Sequence, residues 1–353
     1  MSGARPIASA GEAPAASSAR DVRIDALRGL AIILVVLGHA IYEAAGKSSA
    51  DPVFRTIYSF HMPLFAAVSG YLWARGAGRP GWLRRRLVGL RLPYLGWVLV
   101  GMAVGWPVAS PSSAAAVVSR VRDALLGLGS GGGLWFLYAL FWSALIVWAL
   151  RRWEWLLVAA ALALLLKPWM PDVGFVNQLR WTVLPFVVGG YLIGVHKPRG
   201  AKWAAAVSLA AFPVLLWVMW PIIEQPAWVG ELTRVLGSSW PAWLVRVRPD
   251  GVANGVFWLG RCAVAAAGIG VTVPLVRRLP DAALRTLATF GVASLGIYAS
   301  HFMWQSWLLG LAPLSAVPLF VLSLGLALAT ALVLARIPVV RTVLLGIRGS
   351  KAA

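Results

Sequence analysis

The sequence predicts an all-α membrane protein, a polytopic bundle of about ten transmembrane helices, and three observations carry that expectation. The chain is 60% hydrophobic and only 12% charged over 353 residues, far more apolar than a water-soluble globular domain. Apolar stretches near the roughly 20 residues that a helix needs to cross a bilayer recur from end to end. Most of the 32 lysines and arginines fall in the N-terminal tail and in every second loop between those stretches. By the positive-inside rule, this alternation places both termini in the cytoplasm. It also argues against a nucleic-acid partner despite a formal net charge of +20, because a nucleic-acid binder gathers its basic residues on one face.

Residues 1–22 are rich in Ala, Ser, Gly and Pro with few large apolar side chains, and are expected to form a disordered cytoplasmic tail. The transmembrane domain is expected over 23–348. Its first span, 26–45, is too long for the apolar core of a cleaved signal and serves as an uncleaved insertion signal. The second, 57–74, opens near His61, with Pro63 in a first turn where the missing N–H costs nothing. The third, 92–109, follows the basic run Arg84, Arg85, Arg86 and Arg91. The fourth, 134–150, begins in aromatics after a glycine run, "GSGGGLWFLYALF". Those glycines serve either as a plain connector or as a place where backbone amides approach a ligand closely. Spans at 155–170, 181–195 and 203–223 follow. A loop at 224–251, holding Trp, Pro and charged residues, is a candidate lid on the outer face. Spans at 252–275, 287–309 and 316–335 complete the bundle.

Polar residues inside apolar spans are costly and mark functional sites by default. In "RIDALRGLAIILVVLGHA", Arg28 and His39 are eleven residues apart, three helical turns plus about 20°, so they share one face with a rise of roughly 16 Å between them. Asp25 stands three residues before Arg28 and is placed to pair with it. In "SLGIYASHFMWQ", Ser294, Tyr298, His301 and Gln305 share one face. Arg261 lies inside the eighth span, on one face with Asn254. His39, His61 and His301 all fall in the outer half of the bundle, which points to a polar pocket there lined also by Tyr298 and Arg261. Taken singly, each histidine also fits a bond to a neighbouring carbonyl. Arg85, Arg86 and Arg91 suit bidentate phosphate binding as well as they suit topology.

Other chemistries are excluded. Cys262 is the only cysteine, so neither an intramolecular disulfide nor a multi-cysteine zinc site is available, and no metal site is expected. "AAGKSS" has the ending of a phosphate-binding loop, but Ile41 stands where its first glycine belongs and no strand precedes it.

Arg-(ten residues)-His in the first span, followed in order by "FHMPLF…SGYL", "LWFLYALFW" and "SLGIYASH", resembles the membrane acyltransferase 3 family, closest to its short, fucose 4-O-acetylase-like members. The resemblance implies a ten-helix O-acyltransferase that takes an acyl group, usually acetyl from cytoplasmic acetyl-CoA, and places it on a hydroxyl of an extracytoplasmic carbohydrate or glycoconjugate. The catalytic pair would be His39 and Arg28. The donor would be held by Arg85, Arg86 and Arg91. The acceptor is expected, from helical placement rather than from the resemblance, at His61, Arg261, Tyr298 and His301. His39 would act either as general base or as the acyl carrier itself. One departure is Gly89, which stands where the family pattern carries a second arginine. The Arg-heavy, Ala-rich composition points to a bacterial genome of high GC content, and the expected location is the bacterial plasma membrane. The competing reading is a transporter or flippase whose polar stripes line a pathway.

Overall fold

The computed structural model describes residues 21–104, 133–163, 174–197, 201–220 and 249–347, with short stretches between 115 and 122 and between 231 and 235. The described residues are helical and include no strand. In chain order the helices are α1 (Val22–Ala44), α2 (Pro52–Ala74), α3 (Trp82–Ala103), α4 (Trp135–Leu150), α5 (Glu154–Ala163) and α6 (Gly174–His196). They continue with α7 (Ala201–Val218), α8 (Pro249–Arg277), α9 (Asp281–Leu311), α10 (Ala316–Arg336) and α11 (Pro338–Leu345). Four of these segments, α1, Val256–Arg277 of α8, α9 and α10, are each long and apolar enough to cross a membrane. Residues 1–20 of the expected tail and most of the expected lid lie outside the described residues, while Asp21 and Val22 already belong to the start of α1.

Local chemistry sets the starts of the first two helices. The Asp21 carboxylate caps α1 by accepting from the Arg23 and Ile24 amides at 3.2 and 3.4 Å, and Asp25 sits in the first turn, where negative charge favours the helix dipole. Asp51 caps α2 by accepting from the Phe54 amide at 2.9 Å, with Pro52 opening the helix. This second cap corrects the expectation for Pro63. The helix begins eleven residues earlier, so Pro63 lies in its interior, where it deprives the Ser59 carbonyl of a helical donor. The third span needs a similar correction. Because α3 starts at Trp82, Arg84, Arg85, Arg86 and Arg91 are carried on the helix itself rather than in a loop before it.

Two helix pairs dominate the packing, α1 with α9 and α2 with α6. Each meets at glycines. A Cβ on Gly29 would fall 1.8 Å from the Leu287 carbonyl oxygen, and one on Gly291 would fall 1.8 Å from that of Asp25. Gly70 and Gly190 interlock in the same manner against Val187 and Ala67. Missing side chains let backbones touch, a packing mode suited to an apolar surround that offers no hydrophobic drive. The core around these crossings includes Leu27, Ile32, Val36, Leu64, Leu184 and Ile297, all nearly inaccessible.

Helix α11 was not expected from the sequence. It folds back onto α3, where Trp97 Nε1 donates to the Leu344 carbonyl at 2.9 Å. The turn after it packs on Gly89, so close that a Cβ on Gly346 would come within 2.7 Å of the Gly89 carbonyl oxygen. The position of the missing second arginine is therefore one the C-terminal turn covers.

Candidate active site

The α1–α9 crossing determines what meets above it. The two helices run in parallel, and His39 and His301 each follow their crossing glycine, Gly29 and Gly291, by ten residues. Equal steps of roughly 15 Å bring both to the same depth. Side chains pin the register at two levels. Arg28 Nη2 donates to Ser294 Oγ at 2.8 Å, and higher up Gln305 Nε2 donates to the Val36 carbonyl at 3.0 Å and to Ser323 Oγ on α10 at 3.3 Å. The result is an imidazole pair with ring centroids 5.2 Å apart.

Both histidines line a cavity of about 350 Å³ together with His61, Tyr298 and Arg261, and with the aromatics Tyr58, Trp135, Trp258 and Phe302. The outer-pocket residues that the sequence singled out thus come together in one place. His61 is buried and its Nδ1 lies 2.7 Å from the Ile57 carbonyl. His301 places Nδ1 at 2.8 Å from the Tyr298 carbonyl and 3.1 Å from that of Ile297. A carbonyl only accepts, so in both rings Nδ1–H is the donor, and the neutral imidazole keeps its lone pair on Nε2. The Nε2 of His301 is buried and has no hydrogen-bond partner.

The Tyr298 hydroxyl donates to the Gly133 carbonyl at 2.6 Å and accepts from the Phe136 amide at 3.2 Å. It closes the cavity by tying α9 to the start of α4, and Gly133, the last glycine of the run before α4, itself lines the wall. Arg261 comes from α8 with its guanidinium over the Trp258 and Phe257 rings, at 5.2 and 5.6 Å from their centroids. Stacking on aromatics is a way to hold a cation in an apolar surround. The Asn254 side chain lies outside the described residues.

The arginines gather at the opposite end of α1. Arg28 pairs with Asp25 at 3.4 Å, the i,i+3 contact expected from the sequence, and with Ser294. Arg86 feels the Arg28 charge. Ahead of the apolar part of α3, burial first, then the charges of Arg85 and Arg28, pull the Arg86 guanidinium below its ordinary pKa. Arg85 donates to the Pro80 carbonyl at 2.7 Å. Arg91 lies over the Phe141 ring at 5.2 Å and the Tyr94 ring at 6.0 Å. Of the three candidate donor-binding arginines, Arg86 is the one that feels the Arg28 charge, while Arg85 and Arg91 have local partners. Among the described residues, no group of three or more His, Cys, Asp or Glu is arranged to hold a metal ion.

Sequence reasoning missed Tyr58, whose hydroxyl is 3.4 Å from His39 Nδ1 and whose ring packs against His61 at 4.8 Å. The signal was its place three residues before His61, on the same helix face. Gly38 makes room for it, since a Cβ there would lie 2.8 Å from Tyr58 Cε2. The repeated spacing of glycine and histidine in α1 and α9 was likewise legible and unread.

Comparison with known proteins bears on what this arrangement does. The family model described as an acyltransferase domain matches residues 21–336. Among curated proteins, the chain is similar to Nodulation protein NolL of Mesorhizobium japonicum, 30% identical over 223 residues that make up 57% of each chain. It is also similar to Nodulation protein NolL of Sinorhizobium fredii, 34% identical over 194 residues that cover 52% of this chain and 51% of the relative. The match thus spans about half the length of these relatives. No solved structure matches the chain.

Proposed function

The chain belongs to the acyltransferase domain family, and from that premise we propose that it is a multi-pass membrane O-acyltransferase moving acetyl from acetyl-CoA to a hydroxyl of a carbohydrate or glycoconjugate. It would cross a bacterial plasma membrane about ten times with both termini in the cytoplasm, the arginine end facing the donor and the histidine cavity facing the acceptor. The observation that carries the reading is the pair of facing imidazoles in an aromatic-walled cavity, one from each helix of the glycine crossing. Pockets of this make-up, mostly apolar with a few convergent polar groups, are the usual form of small-molecule sites.

In the proposed reaction the donor's phosphates lie against Arg86 and its neighbours, and the thioester reaches along α1 over the roughly 16 Å between Arg28 and His39. His39 Nε2 takes the proton of the acceptor hydroxyl while that oxygen attacks the thioester carbonyl. Arg261 is the fixed positive charge suited to the oxyanion that develops on the carbonyl oxygen. Collapse of the tetrahedral species breaks the carbon–sulfur bond, and the leaving thiolate recovers the proton from His39. One ester and one free thiol result. His61 and Tyr298 hold the acceptor. Arg28, tied to Asp25 and Ser294, fixes the first turns of α1 beneath the site.

Acetyl-CoA added to the purified protein in lipid nanodiscs tests the reading. Binding to the folded state alone raises thermal stability by about 2.7 kcal/mol at a hundredfold excess over Kd, so a melting temperature that climbs with donor concentration is expected. A flat response at millimolar acetyl-CoA would count against acyl transfer and favour a transport role.

A further inference from the structure

Building on the acyl-transfer reading above, we propose that His301 selects the acceptor. The site takes a vicinal diol, with one hydroxyl presented to His39 for acylation while the hydroxyl on the adjacent carbon donates a hydrogen bond to His301 Nε2.

The argument starts from an unmet acceptor. His301 is 3% exposed, its Nδ1–H is spent on the carbonyls of its own helix, and its Nε2 is buried without a partner. A buried polar atom left so costs about 1–3 kcal/mol, and native proteins rarely carry one without a use. This one belongs to a ring that lines the cavity and faces His39. The missing partner must be a hydrogen-bond donor. His39 cannot supply it and still take the acceptor's proton, because a hydrogen held on its Nε2 would leave that nitrogen no lone pair to act as base. In the empty cavity a water can fill the role, but a ligand that displaces such a water without replacing its hydrogen bond loses affinity. The donor therefore comes with the acceptor.

Two features narrow what the acceptor presents. A single hydroxyl has one proton and cannot serve both imidazoles, so a second hydroxyl is required. With the ring centroids only 5.2 Å apart, the two hydroxyls must lie close together on the acceptor, and the pair proposed is the nearest one, on adjacent carbons. The walls agree, since Tyr58, Trp135, Trp258 and Phe302 offer flat apolar faces to the C–H side of such a ring. The hydroxyl at His39 is the one acylated, and the second serves only to anchor the acceptor. The product is a monoester beside a free hydroxyl.

The test uses a panel of octyl hexopyranosides and 6-deoxyhexopyranosides, with radiolabelled acetyl-CoA and the protein in nanodiscs. Mass spectrometry locates the acetylated hydroxyl, and the glycoside is then compared with its analogues lacking either flanking hydroxyl. A site built around a hydroxyl rejects the analogue without it strongly, so one of the two deoxy compounds should lose at least about 100-fold in kcat/KM. His301→Phe should lower kcat/KM for the parent and bring parent and deoxy analogue within about threefold of each other. His301→Gln, whose amide oxygen can accept in place of Nε2, should recover part of the discrimination. Retained stabilisation by acetyl-CoA verifies that a variant is folded, and the glutamine variant decides the matter if the phenylalanine one is not. Equal rates for both deoxy analogues in the wild type, or full discrimination in the folded His301 variants, overturn the inference and leave acyl transfer standing. No transfer to any glycoside overturns the carbohydrate-acceptor reading on which it rests.

Discussion

The two ends of the α1–α9 pair share one crossing and one register, yet they treat polar groups in opposite ways. At the arginine end, two of the arginines are matched by the protein itself: Arg28 meets Asp25 and Ser294, and Arg75 meets Asp21 at 3.3 Å. At the histidine end, hydrogen bonds to the helix backbone fix the His61 and His301 imidazoles, His39 meets the Tyr58 hydroxyl, and the Nε2 of His301 is left over. The difference teaches how to separate scaffold from site in an apolar bundle. A buried polar group satisfied by its own chain sets geometry, and one left unmatched on the wall of a cavity is open to a ligand. By this measure the chemistry belongs to the histidine end, and Arg86, held among like charges, is the group at the other end best placed to gain from a bound polyanion.

The change with the largest expected effect breaks the histidine end alone. His39→Ala should cut turnover by about 10²- to 10⁴-fold, the usual contribution of a positioned base, while acetyl-CoA still stabilises the protein. Initial rates and melting curves on one preparation read both quantities. Near-wild-type turnover in the folded variant would falsify His39 as base or acyl carrier.

Next in size is the mirror experiment. Arg86→Glu should raise the apparent KM for acetyl-CoA about ten- to hundredfold, since a charge-assisted hydrogen bond to phosphate is worth about 1.5–3 kcal/mol. The KM for the acceptor and the rate at saturating donor should stay close to wild type. Arg85→Glu and Arg91→Glu should do less, because those side chains are engaged with the Pro80 carbonyl and the Phe141 ring. If acceptor binding collapses instead and donor binding holds, the two ends have been assigned the wrong way round.

The contrast between the ends also explains what could be read from the sequence. Helical class and the approximate position of the four long apolar helices follow from apolar length, a one-dimensional property. So do the Asp25–Arg28 pair and the inward stripe Ser294, His301 and Gln305, which need only helical periodicity. Helix starts were less legible where a cap lies well ahead of the apolar run. Asp51 begins α2 early enough to move Pro63 from the first turn to the interior, and α3 extends back through its arginines. What periodicity cannot give is which helices touch. The meeting of α1 with α9 depends on Gly29 and Gly291 fitting backbone to backbone, a contact between residues more than 250 positions apart. The role of Tyr58 depends on that same three-dimensional arrangement.

Tyr58 supplies the smallest and sharpest test of the histidine end. Its hydroxyl is 3.4 Å from His39 Nδ1, beyond the 2.7–3.2 Å of a well-formed bond, as expected of a site that tightens only when substrate is bound. For His39 to use Nε2 as the base, Nδ1 must carry the hydrogen and donate it to the tyrosine oxygen, and that bond favours the tautomer and steadies the imidazolium formed in the reaction. Tyr58→Phe removes only this oxygen and keeps the ring that packs on Phe54 at 4.0 Å and on His61 at 4.8 Å. A net hydrogen bond is worth about 0.5–1.5 kcal/mol, so kcat should fall about two- to tenfold with both KM values nearly unchanged. Gly38→Ala, which presses on the Tyr58 ring from the α1 side, should give the same split between kcat and KM. A rise in acceptor KM with kcat preserved would instead make Tyr58 part of the acceptor's wall, and the orientation of His39 would then rest on the α1 backbone alone.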